Sequence, residues 1–152
     1  MMSASALIIL RTAHHRYAAR HSDLAELRQV RDAAVLETVG GDRPCVCVEL
    51  GAFLDPADIS TQTRRHALLI PLRRRYVALL VDAVEAFLEY DRSEPLPGLL
   101  QQHLTQPWAV GVLNYNDIPI VQLDVRAIAR SVLLQHSSTS HDKGSITYAS
   151  GI

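Results

Sequence analysis

Apolar residues in this chain come in short blocks of strand length, each closed by charged, Gly, Pro or Asn residues. Ala6–Leu10 is the first block. Thr12–Arg16 is polar and Tyr17–Ala19 resumes the apolar run, which predicts a hairpin. Pro44–Leu50 predicts another strand, with Val46 and Val48 on one face and Cys45, Cys47 and Glu49 on the other. His66–Leu72 and Tyr76–Val81 flank a charged turn, Arg73–Arg75. Ala109–Leu113 and Ile118–Leu123 read as a second hairpin, joined through Asn114–Asp117, whose asparagines tolerate positive φ.

Helical patterns are fewer. Ser22 is placed to cap a short helix over Asp23–Arg28, with Leu24, Leu27 and Val30 sharing a face. Asp124 is placed to cap a longer one, Val125–Leu134, with Ile128, Val132 and Leu133 facing inward. Turn and breaker signals fall at Gly40–Asp42, at Gly51, at Asp55–Pro56 and at Pro95–Gly98, and Asp55–Thr63 is polar linker. Leu99–Leu104 reads as a helical turn before Pro107. Periodicity leaves Val81–Tyr90 open: Leu80, Val81, Val84 and Leu88 fit a helical stripe as well as a strand, and the alanines favour helix.

A chain of 152 residues is long enough to bury a core without disulfides or metal, as one domain or as two small lobes sharing an interface. Hydrophobic residues make up 48% and charged residues 20%, and the formal net charge is −1. That balance exerts no general pull toward nucleic acid or an anionic membrane. No apolar run approaches the ~20 residues of a membrane span, and Ala6–Leu10 is too short for a signal-peptide core. Two cysteines, Cys45 and Cys47, are too few for a secreted disulfide framework. The protein is therefore expected to be cytoplasmic.

Candidate chemistry is sparse. His14 and His15 are adjacent, so on a strand they point to opposite faces and do not share an ion. Cys45 and Cys47 share a face, but there is no second cysteine pair, and His66 and His103 would join them only through the fold. No Gly-rich phosphate loop, zinc-protease motif or nucleophile elbow occurs. Asp82 and Glu85 lie on opposite faces of a strand and make no working carboxylate pair; Asp82 is better placed to accept a turn N–H. The basic run Arg64–Arg65 and Arg73–Arg75 suits a solvated hairpin tip, or an acidic patch or phosphate. With aromatics at 5% and none among these arginines, a base-stacking platform is poorly supported. Neither a cofactor nor a resident metal is expected, and the chain is not read as an enzyme.

Four places together resemble the CheW-like coupling domain of bacterial chemotaxis. Tyr17-Ala18-Ala19 followed by Asp23–Leu27 resembles that family's tyrosine and V-x-E-I start. Val46-Cys47-Val48-Glu49-Leu50 is similar to its P-V-V-D-L, with Glu for Asp. Val81-Asp82-Ala83-Val84 resembles its second-lobe signature. Gly111-Val112-Leu113 and Ile120–Asp124 resemble its last hairpin and helix start. The resemblance runs from Ala6 to Val132. It implies a mainly β fold of two small five-stranded SH3-like β-barrel lobes packed together, with a C-terminal helix, and it makes Val81–Tyr90 a strand.

The resemblance also implies a function. Such domains are adaptors without an active site, bridging the regulatory domain of a CheA-like histidine kinase and the tip of a methyl-accepting chemoreceptor in chemotaxis or pilus motility. The positions matching the family's partner-binding groove are Leu24, Glu26, Val84 and Phe87, with Arg43 near the place of the receptor-binding arginine. There is one large departure. The family's G-x-x-N-L-R-G ahead of P-V-V-D-L is absent, and Val30–Asp42 is shortened, so receptor coupling is more in question than the fold. A divergent protein-binding module for another partner therefore remains open, as does, less favourably, a nucleic-acid-binding small barrel.

The CheW-like domain is expected over residues 1–134. Gln135–Ile152, rich in Ser, Thr and His, reads as a disordered tail with too little apolar surface to offset its ordering entropy. Truncation after Leu134 should leave the melting temperature nearly unchanged. A fall of many degrees in a thermal scan would mean that Ile146 and Tyr148 dock on the body.

Overall fold

The structure, a computed structural model, describes residues 6–31, 38–39, 43–89, 94–95 and 107–135, with backbone only at 38–39, 43 and 94–95. The expected turn at Gly40–Asp42, the helical turn Leu99–Leu104 and residues 136–152 of the expected tail lie outside that range.

The chain is mainly β, in two sheets. The strands are β1 (Leu7–Arg11), β2 (Arg16–Arg20), β3 (Glu26–Val30), β4 (Thr38–Val39), β5 (Arg43–Glu49), β6 (Arg65–Pro71), β7 (Tyr76–Val81), β8 (Ala83–Leu88), β9 (Glu94–Pro95), β10 (Ala109–Tyr115) and β11 (Ile118–Leu123). One sheet has the order β8-β1-β2-β11-β10-β9 and the other β3-β6-β7-β5-β4. Two lobes and a mainly β fold were expected and are found. The described strands form open sheets of six and five rather than closed barrels.

Alternation explains why the central strands are apolar throughout. Strand side chains point to opposite faces in turn. Ile8 and Leu10 of β1 enter a core shared by both sheets, as do Leu68 and Ile70 of β6 and Val77, Leu79 and Val81 of β7. Their neighbours Leu7 and Ile9 enter a second cluster with Leu113 and Ile120. Ala67, Leu69, Ala78 and Leu80 enter a third, with Cys45, Cys47 and Tyr76 against it. Strands buried on both faces read as continuous apolar runs, whereas β8, the open segment after Val81, is a strand with Glu85 and Phe87 exposed and its other residues half-buried. On β5, Val46 and Val48 face the shared core and the cysteines the other side, as alternation predicts.

A helix over residues 125–135, α2, closes the shared core with Val125, Ile128, Ala129 and Val132. Asp124 caps it as expected: its Oδ1 accepts the Ala127 N–H at 3.0 Å. Asn116 and Asp117, at φ 51° and 63°, form the β10–β11 turn, and both tolerate this left-handed region better than most residues. Asn114, expected in the turn, lies within β10.

Two expectations are corrected. Asp23–Arg28 is not a helix. A single 3-10 turn covers His21–Asp23, and Glu26–Val30 is strand β3, paired with β6. The ladder to β6 supplies partners to the backbone groups on one edge of this segment, beginning with Ala25 N–H to Leu69 O at 2.8 Å. Further on, Leu50 leaves β5 to start a short helix, α1 (Leu50–Leu54), which puts Leu50 and Leu54 into the shared core.

His14 and His15 lie in the β1–β2 turn rather than on a strand. Buried Asp58 pins this turn to the loop after α1. Its Oδ2 accepts the Thr12 hydroxyl at 2.5 Å, and its Oδ1 accepts the His14 N–H at 3.1 Å. His15 Nε2 lies 3.3 Å from Asp55. The N–H of Ala57 and the His15 ring together hold the Asp55 carboxyl below its ordinary range. Burial, helped by Asp58 and Asp55, pushes the nearby Tyr17 phenol up to about 12.

Gly51 meets the same carboxylate: a Cβ there would stand 2.9 Å from Asp58 Cγ and 3.1 Å from its carbonyl oxygen. Ala is the better helix former by up to ~1 kcal/mol. Even so, Gly51→Ala should destabilise by ~1–3 kcal/mol through overpacking against a pinned side chain. Urea unfolding measures the sign; a variant as stable as the parent would show that Asp58 moves freely.

Candidate functional site

The chain crosses between the sheets twice. It leaves the six-stranded sheet after β2, passes through the His21–Asp23 turn and enters the other sheet at β3. It returns at Asp82, the single residue between β7 of one sheet and β8 of the other. Both crossings are tied by backbone bonds: His21 N–H to Ala6 O at 3.0 Å, Leu24 N–H to His21 O at 3.1 Å, and Asp82 N–H to Arg11 O at 2.9 Å. The crossings make a seam, bordered by β3 and β8. Each is an outermost strand of its sheet among the described residues, and β8 also touches β6.

Four of the five positions singled out in the sequence lie on the elements of this seam. Leu24 and Val84 are half-buried and both pack against the shared core. Glu26, exposed at the start of β3, accepts from Arg28 Nε and Nη2, each at 2.9 Å. Phe87 on β8 is 63% exposed, and its ring lies edge-on to His21 with centroids 6.1 Å apart. Arg43 is different. Its backbone starts β5, and β6 and β7 lie between β5 and β3. His21 was missed: a histidine in a polar turn carries no pattern that pairs it with a phenylalanine so distant in the chain.

The acidic residues of the two motifs converge on one arginine, which nothing in their spacing announced. Arg65, at the start of β6, donates from both terminal nitrogens to Glu49, with Nη1 to Oε2 at 3.0 Å. Its Nε stands 3.2 Å from Asp82 Oδ1. That approach is electrostatic: the alignment is too poor for a hydrogen bond, and neither atom has another hydrogen-bond partner. Asp82, expected to accept a turn N–H, turns its Oδ1 to a buried guanidinium. Burial works against the Arg65 charge, but Glu49 and Asp82 outweigh it and its pKa rises.

Glu85, three residues on, is held separately. Arg16 Nε lies at 2.6 Å and Arg11 Nε at 3.3 Å, both from the β1–β2 hairpin. The two carboxylates of this segment thus have different partners and do not act as a pair. The free Cys45 thiol is hydrogen-bonded to that of Cys47 and half-buried, and both effects raise its pKa, which keeps it a poor nucleophile at neutral pH. Among the described residues, no three His, Cys, Asp or Glu side chains come together to hold a metal, and no helix is long and apolar enough to cross a membrane.

No family model matches the chain, and no curated protein matches it. Among solved structures, it is similar to the scaffolding protein TtCheW from Thermoanaerobacter tengcongensis, with a TM-score of 0.58 and 17% identity. The match covers 80% of this chain and 84% of that one. The fold is CheW-like.

The buried charges make a sharp energetic contrast. Arg65→Met leaves Asp82, whose side chain is 4% exposed, without its cation. It should cost ~3–5 kcal/mol in urea unfolding. Adding Asp82→Asn should recover a large part of that. Glu49→Gln, at a side chain 46% exposed, should cost no more than ~1 kcal/mol. Equal losses from Arg65→Met and Glu49→Gln would show that Asp82 is not the dependent charge.

Proposed function

We propose that this protein is a non-enzymatic adaptor of bacterial chemosensory or pilus-motility signalling, coupling the regulatory domain of a CheA-like histidine kinase to a receptor tip. The observation that carries this reading is Phe87: a large aromatic ring, mostly exposed, on the outermost strand of a CheW-like fold. An exposed aromatic beside a strand edge that has no partner among the described residues suits a partner that fills a groove or adds a strand. Leu24 and Val84 would form the floor of that contact and Glu26 its rim. An adaptor of this kind needs no reaction. It works by holding two surfaces together, so that the state of one changes the population of active conformers in the other.

A second reading is favoured by the absent G-x-x-N-L-R-G segment. The same fold would then serve a different protein partner, or bind the kinase and compete with a complete adaptor. Separate titrations with the kinase regulatory domain and with a receptor-tip fragment distinguish the two. Binding to both supports coupling, and binding to the kinase alone supports the competitor.

Two variants test the surface. Phe87→Asp puts a charge where a partner's apolar group must lie, and burying it unpaired costs several kcal/mol, enough to abolish a micromolar complex. Because Phe87 is exposed, the fold should survive. Glu26→Lys should change stability by less than about 0.5 kcal/mol while weakening association through reversed rim charge. Unchanged binding by both folded variants would mean that the partner surface is elsewhere.

A further inference from the structure

A second surface stands out by its charge, at the tip of the β6–β7 hairpin. Arg73, Arg74 and Arg75 form that tip, and all three are exposed. Across a groove of about 570 Å³, α2 presents Arg126 and Arg130, also exposed. Five of the chain's 15 basic residues thus face one depression in a protein whose net charge is −1. Among the described residues, none of the five has a carboxylate within 4.0 Å. Asp23 and Asp124 lie within electrostatic reach on the far side of Arg126 and Arg130 and offset part of the charge there.

The floor is apolar. Leu72 and Leu133 are half-buried, and Leu134 is 71% exposed. Arg126, Arg130, Leu133 and Leu134 recur at the spacing of one helix face, while Val125, Ile128, Ala129 and Val132 turn the opposite face into the core. The exposed stripe of α2 therefore ends in leucine where an ordinary solvated helix would end in polar residues.

This combination selects its ligand. Guanidinium groups bind carboxylates through two parallel hydrogen bonds, and a leucine floor rewards an apolar side chain. A nucleic acid would gain nothing from the leucines and would find no aromatic among the lining residues to stack on. A bilayer is flat, and Leu72 and Leu133 are recessed below the arginines. We propose that this groove docks an acidic, leucine-bearing segment of a partner protein, carboxylates on the arginines and leucine on the floor. The assignment does not depend on the adaptor reading, because it concerns other residues and names no kinase or receptor. The His21–Asp23 turn stands between the two surfaces: His21 touches Phe87, and Asp23 feels Arg126 and Arg130.

The probe is a labelled synthetic helix of glutamates with leucines at every third and fourth position, titrated by fluorescence anisotropy against the full chain. Three controls run beside it: a polyglutamate of equal charge, a single-stranded oligonucleotide, and phosphatidylserine-containing vesicles. Binding of the leucine peptide should weaken steeply with added salt. It should fall at least ~10-fold in Arg126→Gln with Arg130→Gln, in Arg74→Gln with Arg75→Gln, and in Leu134→Asp, each with an unchanged circular dichroism spectrum. Phe87→Asp should leave it unaltered, which separates this surface from the seam. The proposal is overturned if the peptide does not bind, if polyglutamate or the oligonucleotide binds as tightly, if only the vesicles bind, or if the arginine pairs can be replaced without loss.

Discussion

Three strands, β1, β6 and β7, are buried on both faces, and the rest of the molecule is arranged around that requirement. One face of each feeds the core shared between the sheets, and the other feeds a separate apolar cluster on its own sheet. Fully burying a Leu, Ile or Val side chain stabilises by ~1.5–3 kcal/mol, and a strand that does so on both faces tolerates no polar residue within its run. Charge is therefore pushed to the strand ends. That is where Arg65 meets Glu49 and Asp82, where Glu85 meets Arg11 and Arg16, and where Thr12 meets Asp58.

These polar contacts fix where the chain changes sheets. Asp82 alone separates β7 from β8, so its position decides which residues of the Val-Asp-Ala-Val motif face the core. A buried aspartate facing an arginine is weak support for stability in itself, because both ions lose hydration. Its effect is to make one geometry of the crossing much better than its neighbours. The motif acid that reads from the sequence as a local cap is a tertiary contact to β6.

The same arrangement leaves some surfaces unused by folding. β8 and β3 keep outer edges without a strand partner among the described residues, with Phe87 on one and Glu26 on the other. Among the described residues, the arginines of the β6–β7 tip and of the outer stripe of α2 have no carboxylate within 4.0 Å. These are the two surfaces proposed for partners, an exposed aromatic on a sheet edge and a basic groove with an apolar floor, and the His21–Asp23 turn stands between them.

Much of this was legible in the sequence because it is local. Apolar runs gave the strands within a residue or two, Asp124 announced the start of α2, and Asn116-Asp117 fell within the expected turn. Cys45 and Cys47 were correctly set opposite Val46 and Val48, because alternation is a property of the extended backbone. The failures were also physical. Asp23–Arg28 has a capping serine and helical spacing, yet Glu26–Val30 pairs along one edge with β6, and that ladder won. The grip of Arg65 on Glu49 and Asp82, the contact of His21 with Phe87, and the meeting of Arg73–Arg75 with Arg126 and Arg130 join segments far apart in the chain. Backbone preference and periodicity are written in neighbouring residues, so the sequence by itself determined most of the elements, though not β3 or α1. Charge pairing and exposure depend on which elements pack together, so only the tertiary structure decided them.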